Sequence, residues 1–116
     1  MAAFLLISER TETFFISRLR EVIKPFSSLE VLDQNVNLTN SYDLIIIDAT
    51  VVQDVGSLII RLRKENLQTP IVVAAAAPTW TRAREVYQSG AQGYLEKSLS
   101  DEEMRKALQS FCLKIV

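Results

Sequence analysis

The chain has 116 residues, of which 48% are hydrophobic and 23% are charged, and its formal net charge is −1. A chain of this length can bury enough apolar surface to fold as one domain without disulfides or a structural metal. It contains one cysteine and no histidine, which excludes a zinc site of the His/Cys type and any catalytic triad with a histidine base. The near-zero charge predicts no global attraction to nucleic acid or to anionic membranes.

The sequence also indicates where the protein works. Its apolar start is too short for a signal sequence and has no basic residues before it. No apolar run approaches the roughly 20 residues that a membrane-spanning helix needs. The lone Cys112 cannot form an internal disulfide, which is typical of a reducing compartment, and we expect it to be a small buried hydrophobe. These features predict a cytoplasmic protein without a membrane segment.

The amino-terminal part of the chain predicts two strands around one helix. Residues 4–7 form a continuous apolar run, typical of a strand buried on both faces. Residues 11–23 carry apolar side chains at helical spacing, and Pro25 stops that helix. A weaker, alternating strand follows at residues 29–32. The polar connection 33–41 has only two apolar anchors, so it can hold one or two helical turns at most.

Residues 44–47, Leu-Ile-Ile-Ile, give the strongest strand signal, and Asp48 ends that run. Gly90 stands where a C-cap glycine belongs, and Ser100 with Glu103 matches a capping box. The later elements alternate in the same way: a helix at 57–65, a strand at 71–75, a helix from Thr79 or Thr81 to Ser89, a strand at 93–95 and a helix from 101 to about 114.

Alternation of strands and helices predicts the α/β class, with parallel strands, right-handed crossovers and helices on both faces of the sheet. No linker or repeat divides the chain, so residues 1–116 are interpreted as a single doubly wound domain. Sites in such sheets form outside the carboxyl ends of the strands. The residues at those ends are Ser8 and Glu9, Asp48, Ala75 to Ala77, and Lys97. Taken singly, each is as well explained by a solvated loop position or a helix cap.

Two segments of the sequence are similar to motifs of a known family. Residues 42–48, Tyr-Asp-Leu-Ile-Ile-Ile-Asp, and residues 90–97, Gly-Ala-Gln-Gly-Tyr-Leu-Glu-Lys, resemble signature stretches of the receiver domains of two-component response regulators. The similarity covers essentially the whole chain. It implies a flavodoxin-like sheet of five strands in the order 2-1-3-4-5. The chain departs from the family in its second helix, which is expected to be short in the connection 33–41. The resemblance also implies that Asp48 accepts a phosphoryl group, that Lys97 contacts this group and that Tyr94 is the aromatic switch residue.

The resemblance further implies a divalent metal. In this family a pair of acids after the first strand holds Mg²⁺, helped by a backbone carbonyl two residues past the acceptor. Those positions point to Glu9, Asp48 and the carbonyl of Thr50 as ligands. The pair is Ser8-Glu9 here, so one carboxylate is missing. Because Mg²⁺ demands near-ideal octahedral geometry, we expect an impaired site in which binding is weak or absent.

Two further positions depart from the family pattern. The fourth strand normally ends in Thr or Ser, whose hydroxyl contacts the phosphoryl group, and by spacing that position is Ala75. Without the hydroxyl, the coupling of phosphorylation to Tyr94 is expected to be impaired. The proline usual after the lysine is Ser98, so a cis peptide is not expected there.

Three functions are weighed against each other. The first is phosphorelay signalling by a receiver that takes a phosphoryl group at Asp48 from a histidine kinase. The second is a pseudo-receiver, a protein-interaction module that works without phosphorylation, which Ser8 and Ala75 favour. The third, an enzyme or nucleotide-binding domain, is the weakest, because the chain has only three glycines, no glycine-rich loop and no histidine. We therefore expect a protein that is not an enzyme.

The expected partners are a histidine kinase or another signalling protein. In receivers the face formed by the fourth helix, fifth strand and fifth helix is the usual partner and dimer surface, so a homodimer is weighed as well. Four residues of this chain lie on or near that face: Trp80, Arg82, Arg84 and Tyr87. Arg82 and Arg84, two residues apart, cannot share one side of a helix. For Trp80 a partly buried packing role is slightly favoured over an exposed anchor, and direct nucleic-acid binding is not expected.

Overall fold

The computed structural model describes residues 1–8, 13–35, 40–65, 68–77 and 79–112. Within these residues, five strands and four helices alternate along the chain. In order they are β1 (Ala2–Ile7), α1 (Phe14–Ile23), β2 (Ser27–Leu32), β3 (Leu44–Asp48), α2 (Val55–Lys64), β4 (Ile71–Ala75), α3 (Trp80–Ser89), β5 (Gly93–Glu96) and α4 (Asp101–Phe111). The predicted sequence of elements is thus confirmed, apart from the short second helix.

The strands form one parallel sheet with the order β2-β1-β3-β4-β5. This is the predicted order. β3 lies at the centre, and all five of its residues are buried. Its run of β-branched apolar side chains suits a strand that is covered on both faces.

Alternation along the strands divides the core into two layers. Leu6 and Ile46 face the layer that α1 and α4 complete, together with Leu19 of α1 and Leu108 of α4. The odd-numbered neighbours in these strands face the other layer, which α2 covers and to which α3 contributes only Val86. Because successive strand side chains point to opposite faces, helices are needed on both sides of the sheet.

No short helix is found in the described part of the connection between β2 and β3. Residues 33–35 and 40–43 form turns and irregular backbone, and residues 36–39 lie outside the described residues. α2 begins at Val55, two residues earlier than the apolar pattern predicts. The reason is Asp54, whose side chain caps the helix by accepting from the Ser57 N–H at 3.2 Å.

Glycines and a capping serine occupy positions around α3, β5 and α4 that the local backbone geometry requires. Gly90 adopts the left-handed conformation with φ of 118° and ends α3. Gly93 begins β5 directly beneath Phe111, and a Cβ at that position would come within 2.3 Å of the ring. The predicted capping box is present at the start of α4. Hydrogen bonds with Ser100 lower the pKa of Glu103 in that box.

Two predictions about exposure have different outcomes. Cys112 is buried and free, as expected. Trp80 is 83% exposed, so the packing role slightly favoured for it is wrong. α3 buries only Val86, and six residues of helix turn Trp80 well away from that side. Within the described residues, no helix is long and apolar enough to cross a bilayer.

Candidate functional site

Asp48 is the last residue of the central strand β3 and is only 2% exposed. The chain turns sharply behind it, because its carbonyl accepts from the Val52 N–H at 2.9 Å. Its carboxylate is held in the same turn, where Oδ1 accepts from the Thr50 N–H at 3.0 Å. A buried carboxylate needs such donors, since an unpaired one costs several kcal/mol. The turn therefore fixes the orientation of the Asp48 side chain.

Lys97 supplies the opposite charge. It follows β5, and its backbone N–H donates to the Ala75 carbonyl at 2.9 Å, which extends the pairing with β4 by one step. Its Nζ lies 2.6 Å from Asp48 Oδ1 and 3.0 Å from Thr50 Oγ1. The lysine side chain is 16% exposed. This short, largely desolvated ion pair joins the third and fifth strands at the edge that the sequence predicts.

Ser8, which directly follows β1, contributes a further donor to the carboxylate. The residue is buried, and its hydroxyl donates to Asp48 Oδ2 at 3.2 Å. Asp48 thus has an ammonium and an amide on one oxygen and a hydroxyl on the other. Among the described residues, Lys97 supplies the positive charge that pairs with Asp48.

α1 supports the lysine in a way that the sequence did not reveal. The Phe15 ring lies under the ammonium, with Nζ 4.4 Å from the ring centroid, which is a cation–π distance. Arg18, one turn further along, donates from Nη1 to the Lys97 carbonyl at 2.7 Å and from Nη2 to the Leu99 carbonyl. Its Nε lies 2.7 Å from Asp101 Oδ1. Arg18 therefore clamps the segment that carries Lys97.

Replacing Arg18 with glutamine is expected to lower the free energy of unfolding by about 1–3 kcal/mol, because charge-assisted bonds to two carbonyls and a carboxylate are lost. We also expect faster hydrogen exchange of the amides at 97–101. Arg20→Gln is the matched control, since Arg20 lies on the same helix, is exposed and donates to the Leu29 carbonyl rather than to the segment that carries Lys97. Equal exchange rates in both variants would contradict a clamp at Arg18.

The predicted metal ligands are only partly brought together. Asp48 and Thr50 are in contact, since the Thr50 N–H donates to Asp48 Oδ1 and the Thr50 hydroxyl accepts from Lys97. Glu9 lies outside the described residues. Among the described residues, no group of three His, Cys, Asp or Glu side chains could hold a metal ion. With Ser8 beside Asp48, the described residues fit Mg²⁺ poorly, because a hard cation prefers carboxylate oxygens.

The remaining predicted positions lie around this pair. Ala75 ends β4, is 3% exposed and has no polar side-chain atom to offer. Tyr94 on β5 is half-buried and packs against the layer that α2 covers. The described residues contain no cis peptide bond, as expected for the bond before Ser98. The switch roles considered for Ala75 and Tyr94 stay predictions.

The exposed residues predicted for a partner surface lie on α3. Trp80, Arg84 and Tyr87 line one shallow cleft together with Ala83. Arg82 lines a different cleft, as the spacing of two residues predicts. The two aromatic side chains are seven residues apart and share one side of the helix.

Comparison with known proteins identifies the family. The sequence matches the response regulator receiver domain over residues 7–109, and the chain belongs to this family. Phosphoryl acceptance is typical of these domains in two-component signalling, and the comparisons do not favour the pseudo-receiver alternative. The chain matches no curated protein sequence.

Solved structures share the fold. A two-component response regulator from Clostridium difficile has a TM-score of 0.79 and 19% identity, with 96% of this chain and 95% of that one covered. The Vibrio cholerae chemotaxis protein CheY4 has a TM-score of 0.76 and 21% identity, with 96% of this chain and 98% of that one covered. A third structure is the receiver domain of sensor histidine kinase PA1611 from Pseudomonas aeruginosa PAO1, which has a magnesium ion in its active-site cleft. It has a TM-score of 0.74 and 17% identity, with 95% of this chain and 96% of that one covered.

Proposed function

We propose that this receiver domain signals by accepting a phosphoryl group on Asp48. The observation that carries the proposal is the ion pair of 2.6 Å between Lys97 Nζ and the buried Asp48 carboxylate at the carboxyl edge of the sheet. A phosphoryl group arriving there meets a fixed cation, and preorganised positive charge is the main requirement for phosphoryl transfer.

The hydrogen bonds favour Oδ2 of Asp48 as the attacking atom. Oδ1 already accepts from Lys97 and from the Thr50 N–H, whereas from the described residues Oδ2 accepts only the Ser8 hydroxyl, at 3.2 Å. In the transfer, a bond forms between Oδ2 and phosphorus. The bond from phosphorus to the donor's nitrogen or oxygen breaks, and its electron pair leaves with the donor. Lys97 stays within reach of the oxygens of the new acyl phosphate.

We further propose that Mg²⁺ is bound weakly at this site. Ser8 contributes a neutral hydroxyl where a carboxylate would strengthen a cation site, and Asp48 already has three protein donors. The contributions of Glu9 and of the Thr50 carbonyl to any metal site stay predictions.

The test is labelling with acetyl phosphate, followed by intact mass and peptide mapping. We expect one phosphoryl group on Asp48 in the wild-type protein and none in Asp48→Asn, with a labelling rate that rises with the Mg²⁺ concentration because the metal is bound weakly. Asp54→Asn is the matched control, because Asp54 is an exposed cap whose pKa is lowered by hydrogen bonds from Ser57 rather than by a cation. A folded wild-type protein that gains no mass would contradict the proposal.

The remaining features of the proposed function follow from the family. Receiver domains interact with histidine kinases and other signalling proteins and are generally signalling modules rather than enzymes. For this chain we propose one domain over residues 1–116, no enzymatic turnover and no direct contact with nucleic acid. A homodimer through the face of α3, β5 and α4 is supported by the exposed Trp80 and Tyr87. The cytoplasmic location stays a prediction.

A further inference from the structure

A cleft adjoins the Asp48–Lys97 pair on the side of α3. Its volume is about 370 Å³, and its lining residues are Ala49, Thr50, Ala75, Ala76, Ala77 and Arg82. Thr50 connects the cleft to the ion pair, because its N–H is bonded to Asp48 and its hydroxyl to Lys97. On the same measure, one water molecule needs only about 10–15 Å³, so the cleft has room for several. A group attached to Asp48 can therefore extend into it.

The described residues that line this cleft are alanines, one threonine and one arginine. The last residue of β4 and the two residues after it are alanines, which offer no polar side-chain atom to a phosphoryl oxygen. Arg82 is the only charged residue among the described residues that line the cleft. The described residues provide no hydrogen bond or ion pair to the Arg82 guanidinium, although Asp54 and Glu85 line the neighbouring cleft with it. The guanidinium is thus available to a new anion.

We propose that Arg82 is the second cation of the phosphoryl site and binds the group on Asp48 from the side opposite Lys97. This inference rests on the proposed phosphorylation of Asp48. One lysine neutralises only part of the charge of an aspartyl phosphate, which is close to two negative charges. A guanidinium matches the remaining oxygens through two parallel N–H bonds, which a single hydroxyl could not provide.

The anchoring of α3 allows this contact to be transmitted. Val86 is the only buried residue among the ten residues of the helix. Since so little of α3 is packed in the core, a shift of its first turn towards the phosphoryl group breaks few contacts. Trp80 lies in that first turn and is 83% exposed. Binding of phosphate by Arg82 therefore changes the surroundings of Trp80 and of the aromatic face that it shares with Tyr87.

The experiment compares wild type, Arg82→Gln and Arg84→Gln, each treated with acetyl phosphate. Arg84 is the matched control, because it lies on the same helix, is exposed and lines the cleft on the other side. Labelling of Asp48 is followed by intact mass. The fluorescence of Trp80, the only tryptophan, is recorded on the same samples. Both arginines are exposed, so neither variant is expected to disturb folding.

We expect Arg82→Gln to slow labelling about tenfold and to abolish the change in Trp80 fluorescence, while Arg84→Gln stays within about twofold of wild type. Arg82→Lys should restore part of the rate, since it keeps the charge but loses the bidentate geometry. If Arg82→Gln is labelled at the wild-type rate with the same fluorescence change, this inference alone is overturned. If the wild-type protein gains no phosphoryl group, the proposed function is overturned together with it.

Discussion

Lys97→Met is expected to lower the free energy of unfolding by about 2–4 kcal/mol and to suppress labelling of Asp48. The substitution leaves a buried carboxylate with the Ser8 hydroxyl and the Thr50 N–H but without its cation. Removing one partner of a buried ion pair is costly because the other charge stays desolvated. The remaining two donors and the 16% exposure of the lysine keep the loss near the lower end of that range.

A double-mutant cycle with Asp48→Asn separates the ion pair from other effects of the substitution. Lys97→Met should lower the free energy of unfolding far less in the Asp48→Asn background, because no buried charge is then left unpaired. The matched control is Lys106→Met, since Lys106 pairs with Glu102 at 3.6 Å and both side chains are largely exposed. This control should change stability by less than about 0.5 kcal/mol. Equal costs of Lys97→Met in the two backgrounds would rule out a stabilising pair.

Ser8→Asp is expected to make the stability of the protein depend on Mg²⁺. The Ser8 hydroxyl lies 3.2 Å from Asp48 Oδ2, so an aspartate there sets two carboxylates side by side. Without metal, we expect a loss of about 1–3 kcal/mol in the free energy of unfolding. A hard cation prefers such paired carboxylates. Mg²⁺ at a hundred times its Kd would then raise the free energy of unfolding of this variant by about 2.7 kcal/mol.

Ser8→Asn is the matched control, because asparagine has the shape of aspartate without the charge. Thermal unfolding of both variants and of wild type is measured with and without Mg²⁺. Only Ser8→Asp should show a clear rise in Tm on adding the metal, and its labelling by acetyl phosphate should reach its full rate at a lower Mg²⁺ concentration than that of wild type. A Tm of the wild-type protein that rises with Mg²⁺ as much as that of Ser8→Asp would show that Ser8 does not weaken the metal site.

The sequence was sufficient to predict the sheet, the central position of β3 and the placing of Asp48 and Lys97 at one edge. Continuous β-branched runs identify buried parallel strands, and parallel strands necessarily bring their carboxyl ends to the same side. The capping box at Ser100 and the glycine at Gly90 were equally readable, because these signals depend on neighbours within a few residues. Glu9 was readable only as a candidate, and it lies outside the described residues.

Other features depend on contacts between distant parts of the chain. Arg18 reaches the carbonyl of Lys97 across 79 residues of sequence, and no local pattern marks an arginine on a helix as a clamp. The exposure of Trp80 depends on which side of α3 packs on the sheet, and one buried valine decides that. For the same reason, the helical spacing that correctly predicted α3 could not predict its orientation.

Local sequence therefore determined the elements of this protein, their order and the residues at the edge where phosphoryl transfer is proposed. Only the tertiary structure decided how the charge of Asp48 is balanced: by Lys97 and Ser8, with Lys97 supported by Phe15 and Arg18 of α1. The physical reason is distance. Helix and strand signals act over a few residues, whereas the strength of an ion pair depends on burial and on donors that folding brings together.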